Sequence, residues 1–387
     1  MAEKERGLTF SWRKEGKDFS QGSVPAELLE KLPLLPLEEE IILEQAFNFY
    51  RVVLQEEKNL VFLSSPPVIS FVRNFLRGKT SSKEKRFIGF VDSSEEDLLL
   101  HWGRTLPPKD TALVVLARPL EELQLLLLGF SLPPWKKVLV GSNYGILAQS
   151  ARALFLPFFP TEIYHHHFWQ RSALLYLPLI SLNLPVRELE EGFKDGDYFR
   201  EEAAALSLFI QEKGERVIFL VDNSFILSLL QNFIPLLEYS CRGEQKIEFR
   251  AFNFSVMRDN QLFFPSESVF ILVKKGLKDS ELKFSLPPPL HKMDLFSAEG
   301  LVPVSGSWGE LREAECRVVE NLLRREGKDF LKLEYFLPDF QTVGELMTFL
   351  RHFVLYNAFW RGLDLWSDPP VVEFDSQMWK LFPFDKQ

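Results

Sequence analysis

The residues best able to do chemistry in this 387-residue chain sit in a few short turns. His165-His166-His167 gathers half of the six histidines. Adjacent residues on an extended chain point to opposite faces, whereas a zinc site takes ligands that return to one face and adds another from elsewhere. The triplet therefore reads as a partly exposed polar turn, and no metal is expected. Ser64-Ser65-Pro66-Pro67 places two hydroxyls before a proline, the pattern of a helix cap followed by proline at the first helical position. Gly141-Ser142-Asn143-Tyr144-Gly145 has the composition of a phosphate cradle, yet neither a GxGxxG nor a Walker pattern. No cofactor is expected from it. Asp222-Asn223-Ser224 reads as another cap, and Glu38-Glu39-Glu40, Glu190-Glu191 and Glu201-Glu202 read as solvated helix faces. No Ser-His-Asp or Cys-His arrangement is apparent in the order of residues. Cys241 and Cys316, the only cysteines, are too few for a disulfide framework or a cysteine-rich zinc site.

The elements that must position these turns are strands and helices in alternation. Apolar, β-branched runs occur at Leu60 to Leu63, Phe87 to Val91, Ala112 to Leu116 and Val138 to Val140. Helical stretches follow near 66–77, 94–101, 119–129 and 145–155. Non-alternating apolar strands separated by helices imply parallel βαβ units. A long helical zone covers Phe168 to Gly192 and Tyr198 to Lys213. The alternation then resumes with strands at Arg216 to Val221, Ile247 to Phe252, Ser268 to Val273 and Leu331 to Phe336. Helices are expected from Leu37 to Lys58, Asn223 to Leu237, Val343 to Arg361 and, shorter, Val371 to Lys380. The expected architecture is α/β, two successive doubly wound parallel-sheet domains of Rossmann-like type. Residues 1–35, polar and then punctuated by Pro25, Pro33 and Pro36, read as an arm draped over a domain.

Composition narrows the function classes. Hydrophobic residues make up 46% and charged residues 26%, the balance of a globular protein. A formal net charge of -9 leaves no basic face for phosphate backbones, so a nucleic-acid partner is not expected. No segment reaches the roughly 18 uncharged apolar residues of a membrane span. The start, Met1-Ala2-Glu3-Lys4-Glu5-Arg6, is charged with no apolar run behind it, so the expected location is the cytoplasm. The 37 phenylalanines imply large apolar cores and a subunit interface. Phe340, Phe349, Phe353, Phe359, Trp360 and Trp366 offer more aromatic surface than one helix would bury in its own domain, which argues for a homodimer.

The order of segments resembles the phosphoglucose isomerase (glucose-6-phosphate isomerase) family, whose members consist of two sugar-isomerase (SIS) domains. In that family a Pro-x-Pro-Glu-x-x-Gly-Gly-Arg-Phe-Ser turn precedes a long helix and an Asp-Ile-x-Glu-Leu-Leu-x-Gly-Ala segment. Here Pro157-Phe158-Phe159-Pro160-Thr161-Glu162 through His165-His166-His167-Phe168 is followed by Leu177-Pro178 and Val186-Arg187-Glu188-Leu189-Glu190-Glu191-Gly192-Phe193. Further on, Lys213-Gly214, the stretch from Ala314-Glu315 to Gly327, and Gly344-Glu345-Leu346 with Phe349 fall in the family's order. So do Gly362-Leu363-Asp364 and Asp368-Pro369-Pro370-Val371-Val372-Glu373. The resemblance implies a first SIS domain over 36–190, a second over 191–340, and residues 341–387 packing back on the first. It also implies a dimer and a sugar phosphate, or another anionic small molecule, as ligand.

At the functional positions the sequence departs from the family. Its two phosphate-binding turns, Gly-Gly-Ser and Ser-Lys-Ser-Gly-Thr-Thr-x-Glu-Thr, correspond to Ser64-Ser65-Pro66-Pro67 and Ala117-Arg118-Pro119-Leu120-Glu121-Glu122. Only Ser64 and Ser65 keep hydroxyls. The Gly-Gly-Arg element is His165-His166-His167, leaving Arg171 as the nearest guanidinium. The family's base glutamate should fall between Arg258 and Glu267, where Glu267 is the sole glutamate. Its ring-opening histidine falls near Leu323, and its lysine near Asp375, with Lys380 the closest substitute. The expected ligand residues are thus Ser64, Ser65, His165, His166 and Arg171, and the catalytic candidates Glu267, His167 and Lys380. Losing base, phosphate grip and cation together points to lost or altered isomerase activity. Two alternatives stand beside it: an active isomerase using Glu267 with His165, His166 or Lys380 in support, and a non-enzymatic scaffold or regulatory protein.

Overall fold

Every apolar run identified as a strand is one; the central runs are buried on both faces, whereas the edge run Glu248–Asn253 leaves Arg250 exposed. The computed structural model describes residues 8–14, 17–19, 29–34, 41–76, 86–132, 134–161, 169–213, 216–241, 247–254, 268–276, 283–285, 305–335 and 339–363. The chain opens with a hairpin of β1 (Leu8–Lys14) and β2 (Lys17–Phe19). Helix α1 (Ile41–Phe49) runs into a π-helical turn, Tyr50–Leu54, where one unbroken helix was expected. The first sheet follows with β3 (Asn59–Ser64), α2 (Pro66–Leu76), β4 (Phe87–Asp92), α3 (Glu96–Thr105) and β5 (Thr111–Leu116). It ends with α4 (Glu122–Ser131), β6 (Lys136–Gly141), α5 (Ile146–Leu154) and β7 (Phe158–Pro160). Its order is β4-β3-β5-β6-β7, parallel throughout.

Three helices, α6 (Ala173–Ser181), α7 (Val186–Asp195) and α8 (Arg200–Lys213), lead to the second sheet. There β8 (Arg216–Val221), α9 (Ser224–Ser240), β9 (Glu248–Asn253) and β10 (Ser268–Lys275) come first. A small pair, β11 (Lys283–Ser285) and β12 (Ser305–Ser307), precedes α10 (Trp308–Arg325), β13 (Phe330–Tyr335) and α11 (Phe340–Trp360). The sheet order is β2-β1-β13-β10-β8-β9, with β13, β10, β8 and β9 mutually parallel. The N-terminal residues read as a draped arm instead contribute strands: β1 pairs antiparallel along β13, from Leu8 opposite Tyr335 to Arg13 opposite Phe330. An uncovered parallel edge would be a template for foreign strands, and this hairpin occupies it.

Side chains alternate across each strand. In the first sheet Leu60, Phe62, Ala112 and Val114 face one core, and Val61, Leu63, Leu113 and Val115 face another beneath α3, α4 and α5. In the second sheet Ile218, Leu220, Phe270 and Leu272 pack under α10. The opposite faces of both sheets share one large core with α2, α6, α7, α9 and α11. The Phe-rich C-terminal helix is therefore central. Phe349 and Phe353 are fully buried in their own chain and Phe340 packs on the same core. Phe359 is partly exposed and Trp366 lies outside the described residues. Of the aromatics read as surplus for a subunit interface, Phe349 and Phe353 are consumed by this interior layer. No helix among the described residues is long and apolar enough to cross a membrane.

Candidate functional site

Parallel sheets offer ligands the crevice at the carboxyl ends of their strands, where helix N-termini favour anions. After β3 come the two serines. Ser64 is fully buried and its hydroxyl donates to the Leu116 carbonyl at 2.6 Å, tying β3 to β5. Ser65 is 5% exposed, and its Oγ has no hydrogen-bond partner. Neither hydroxyl caps α2, contrary to the capping pattern of the sequence. Pro66 and Pro67 have no N–H to give. The first amides able to donate, Val68 and Ile69, go to the Ser65 carbonyl at 3.1 and 3.2 Å. A buried polar group left unmatched costs on the order of 1–3 kcal/mol, which a ligand oxygen at Ser65 Oγ would recover.

The turn that looked most like a phosphate cradle does hold an anion, but the protein supplies it. Glu122, buried at the start of α4, accepts from the Ser142 N–H at 2.9 Å and from the Leu147 N–H at 3.1 Å. Its carboxylate thus occupies the N-terminus of α5. A Cβ on Gly145 would lie 1.9 Å from Glu122 Oε2, so only glycine leaves room for it. The Gly141–Gly145 turn is therefore filled from within. No local signal could have paired Glu122 with it, because the two meet only when β5 and β6 lie side by side.

The guanidinium groups of Arg118, Arg73 and Arg171 are committed to carboxylates. Arg118 bonds Glu121 on the same turn through Nε at 3.0 Å and through Nη2. Arg73 of α2 bonds both oxygens of Glu95 at 3.0 and 2.6 Å, and this pairing holds the Glu95 carboxyl below the usual range. Arg171 reaches Glu190 through Nε at 3.1 Å and through Nη2, and Tyr176 also donates to Glu190. Glu190, read as part of a solvated face, is instead buried. Leu323, where the resemblance puts a histidine, is core under the second sheet. His165, His166, His167, Glu267 and Lys380 lie outside the described residues.

The carboxyl edge of the second sheet is closed by its own clamp. Asp222 accepts from the Tyr335 hydroxyl at 2.6 Å and from the Lys275 N–H at 2.8 Å. Burial pushes the Asp222 carboxyl above the usual range, against the Tyr335 and Lys275 hydrogen bonds and the nearby Arg312 charge. Asn223 is the helix cap expected, accepting from Phe225 N–H at 2.8 Å and Ile226 N–H at 3.3 Å. Among the described residues no group of three or more His, Cys, Asp or Glu stands close enough to hold a metal.

Comparison with known proteins bears on the fold. No protein-family model matches the chain. No curated protein matches it either. Solved structures do. A hypothetical protein from Thermus thermophilus superposes with a TM-score of 0.67 at 17% identity, over 87% of this chain and 86% of that one. A glucose-6-phosphate isomerase from Chlamydia trachomatis gives 0.59 at 12% identity, over 90% of this chain and 76% of that one. A tagatose-6-phosphate ketose/aldose isomerase from Escherichia coli gives 0.51 at 10% identity, over 85% and 90%. At such identities the likeness is one of architecture: the chain has the two-sheet α/β fold of the SIS-domain phosphosugar isomerases.

Proposed function

We propose that the chain is a glucose-6-phosphate isomerase-like protein of two SIS domains, 36–190 and 191–340, with 341–387 packing back on the first. It binds a sugar phosphate or another anionic carbohydrate derivative, and its isomerase reaction is lost or altered. A cytoplasmic homodimer is part of the same reading. One observation carries the ligand: the buried Ser65 hydroxyl, unpartnered at the N-terminus of the 11-residue helix α2. The resemblance puts a phosphate-binding turn at that place, and the helix dipole favours an anion there. The same turn explains why the grip is weak. Pro66 and Pro67 remove two amide donors, and Arg73, Arg118 and Arg171 are held by Glu95, Glu121 and Glu190. A further trace of descent supports the reading. Leu120 adopts φ 76°, a left-handed conformation that leucine rarely takes, where the family's motif has glycine.

Calorimetric titration of the full chain with glucose 6-phosphate tests the ligand reading. Binding is expected, and Ser65→Ala should weaken it about tenfold, the loss of one hydrogen bond to a charged oxygen. Absence of heat with the unmodified protein would favour the scaffold alternative.

A further inference from the structure

The second half of α11 carries polar side chains into the connection between the two sheets, and four groups there bond in sequence. Arg200, at the start of α8, donates through Nε to the Tyr356 hydroxyl at 3.1 Å. That hydroxyl lies 3.2 Å from Nδ1 of His352. Nε2 of His352 is 2.9 Å from Oδ1 of Asp197, in the short Gly196–Phe199 turn between α7 and α8. Tyr356 and His352 are buried, whereas the Asp197 side chain is 59% exposed.

The order of donors fixes the tautomer. A guanidinium can only donate and a carboxylate can only accept. The Tyr356 oxygen therefore receives the Arg200 hydrogen and gives its own to Nδ1, while Nε2–H serves Asp197. Every group is satisfied only while the imidazole is neutral. A second proton would sit on Nδ1, the atom that now accepts, and would leave the Tyr356 hydrogen without an acceptor in a buried space. The charged surroundings oppose that proton. Arg200 from α8 and Arg351 from α11 itself are positive, and the anion bonded to the ring, Asp197 from the turn, faces water and is partly screened. Burial above all, with these two guanidinium groups, outweighs Asp197 and holds His352 below the ordinary histidine value.

We infer that the Arg200–Tyr356–His352–Asp197 chain is a pH-operated latch, fastening α11 to the turn and to α8 while the imidazole is neutral and opening when it is protonated. The sign follows from linkage. The open state takes the proton more readily than the closed one, so the latch is fully fastened above about pH 6.5 and loosens as pH falls below that. What it holds is connected to the ligand edge: Phe340, at the other end of α11, packs against Phe75 of α2 with ring centroids 5.5 Å apart.

Native-state hydrogen exchange on the full chain, at about pH 5 and about pH 7.5, reads the latch directly. After correction for the intrinsic pH dependence, amides of α11 around His352 should open about threefold or more often in acid, while those of β3 do not change. His352→Gln should abolish the acid effect. Asp197→Asn, at an exposed position, should enlarge it by removing the carboxylate that favours the charged imidazole. Equal pH dependence in the unmodified protein and His352→Gln would overturn the latch. Should His352→Gln not fold, imidazole 15N spectra of histidine-labelled protein decide. A neutral Nε2–H tautomer that titrates below about pH 6.5 supports the inference. A charged ring, or an Nδ1–H tautomer, at pH 7 contradicts it.

Discussion

Gly344→Ala and Gly192→Ala should each cost the protein about 3 kcal/mol, at the upper end of what an inserted methyl group exacts from a packed interior. The two glycines meet where α11 crosses α7. A Cβ on Gly344 would lie 2.3 Å from the Leu189 carbonyl oxygen and 2.8 Å from the Phe193 nitrogen, and one on Gly192 would lie 1.9 Å from the Gln341 oxygen. These are backbone atoms, so no rotamer change relieves the clash and the helices must separate. Gly196 repeats the contact one turn along, its Cβ position 2.4 Å from Cβ of Thr348. Gly129→Ala makes the control. Its nearest neighbour is a valine methyl at 3.1 Å, and the gain in helix propensity, up to about 1 kcal/mol, offsets the small adjustment. Urea unfolding midpoints compare the three. Midpoints for Gly344→Ala and Gly192→Ala equal to that of Gly129→Ala would mean that α11 and α7 do not touch as described.

Arg171→Met should cost about 3 kcal/mol of stability, through Glu190 rather than through any ligand. Glu190 is buried, with Arg171 and Tyr176 bonded to its carboxylate. Removing the guanidinium leaves a buried carboxylate with one phenol for company, and breaking such pairs typically costs on the order of 3–5 kcal/mol. Arg171 also lies over the Phe193 ring, 5.9 Å from its centroid, a packing contact that methionine largely keeps. The double change Arg171→Met with Glu190→Gln should therefore recover most of the loss, because it removes the stranded charge as well. A double variant less stable than Arg171→Met alone would show that Glu190 has another cation to satisfy it.

The βαβ alternation was legible because the central strands β3, β5, β8 and β10 are buried on two faces, which writes each as a short apolar run between turn residues. β1 and β2 were not. They contain Ser11, Arg13, Lys14, Lys17 and Asp18, and they become strands only because β13 presents a free edge to pair with. The π-helical turn after α1 left no mark either, since Tyr50 to Leu54 keeps helical apolar spacing. At the candidate site the hydroxyls of Ser64 and Ser65 were visible, but their division of labour was not. It depends on the Leu116 carbonyl one strand away and on two prolines with no hydrogen to offer. The internal anion at Gly145, the Glu190 pair and the His352 chain escaped notice for a related reason. Each depends on a contact between residues at least 14 positions apart, and local spacing carries no trace of a carboxylate that folds inward. Gly192 and Gly344, by contrast, each drew attention within a segment resembling the phosphoglucose isomerases, and they turn out to be two sides of one helix crossing.

Turnover of glucose 6-phosphate by the purified full chain, followed in a coupled assay for fructose 6-phosphate, tests the central claim most directly. With three guanidinium groups locked in ion pairs and two prolines in the Ser64–Pro67 turn, the expected rate is far below the roughly 1–10³ per second typical of enzymes. Turnover inside that range would contradict the account and establish a working isomerase.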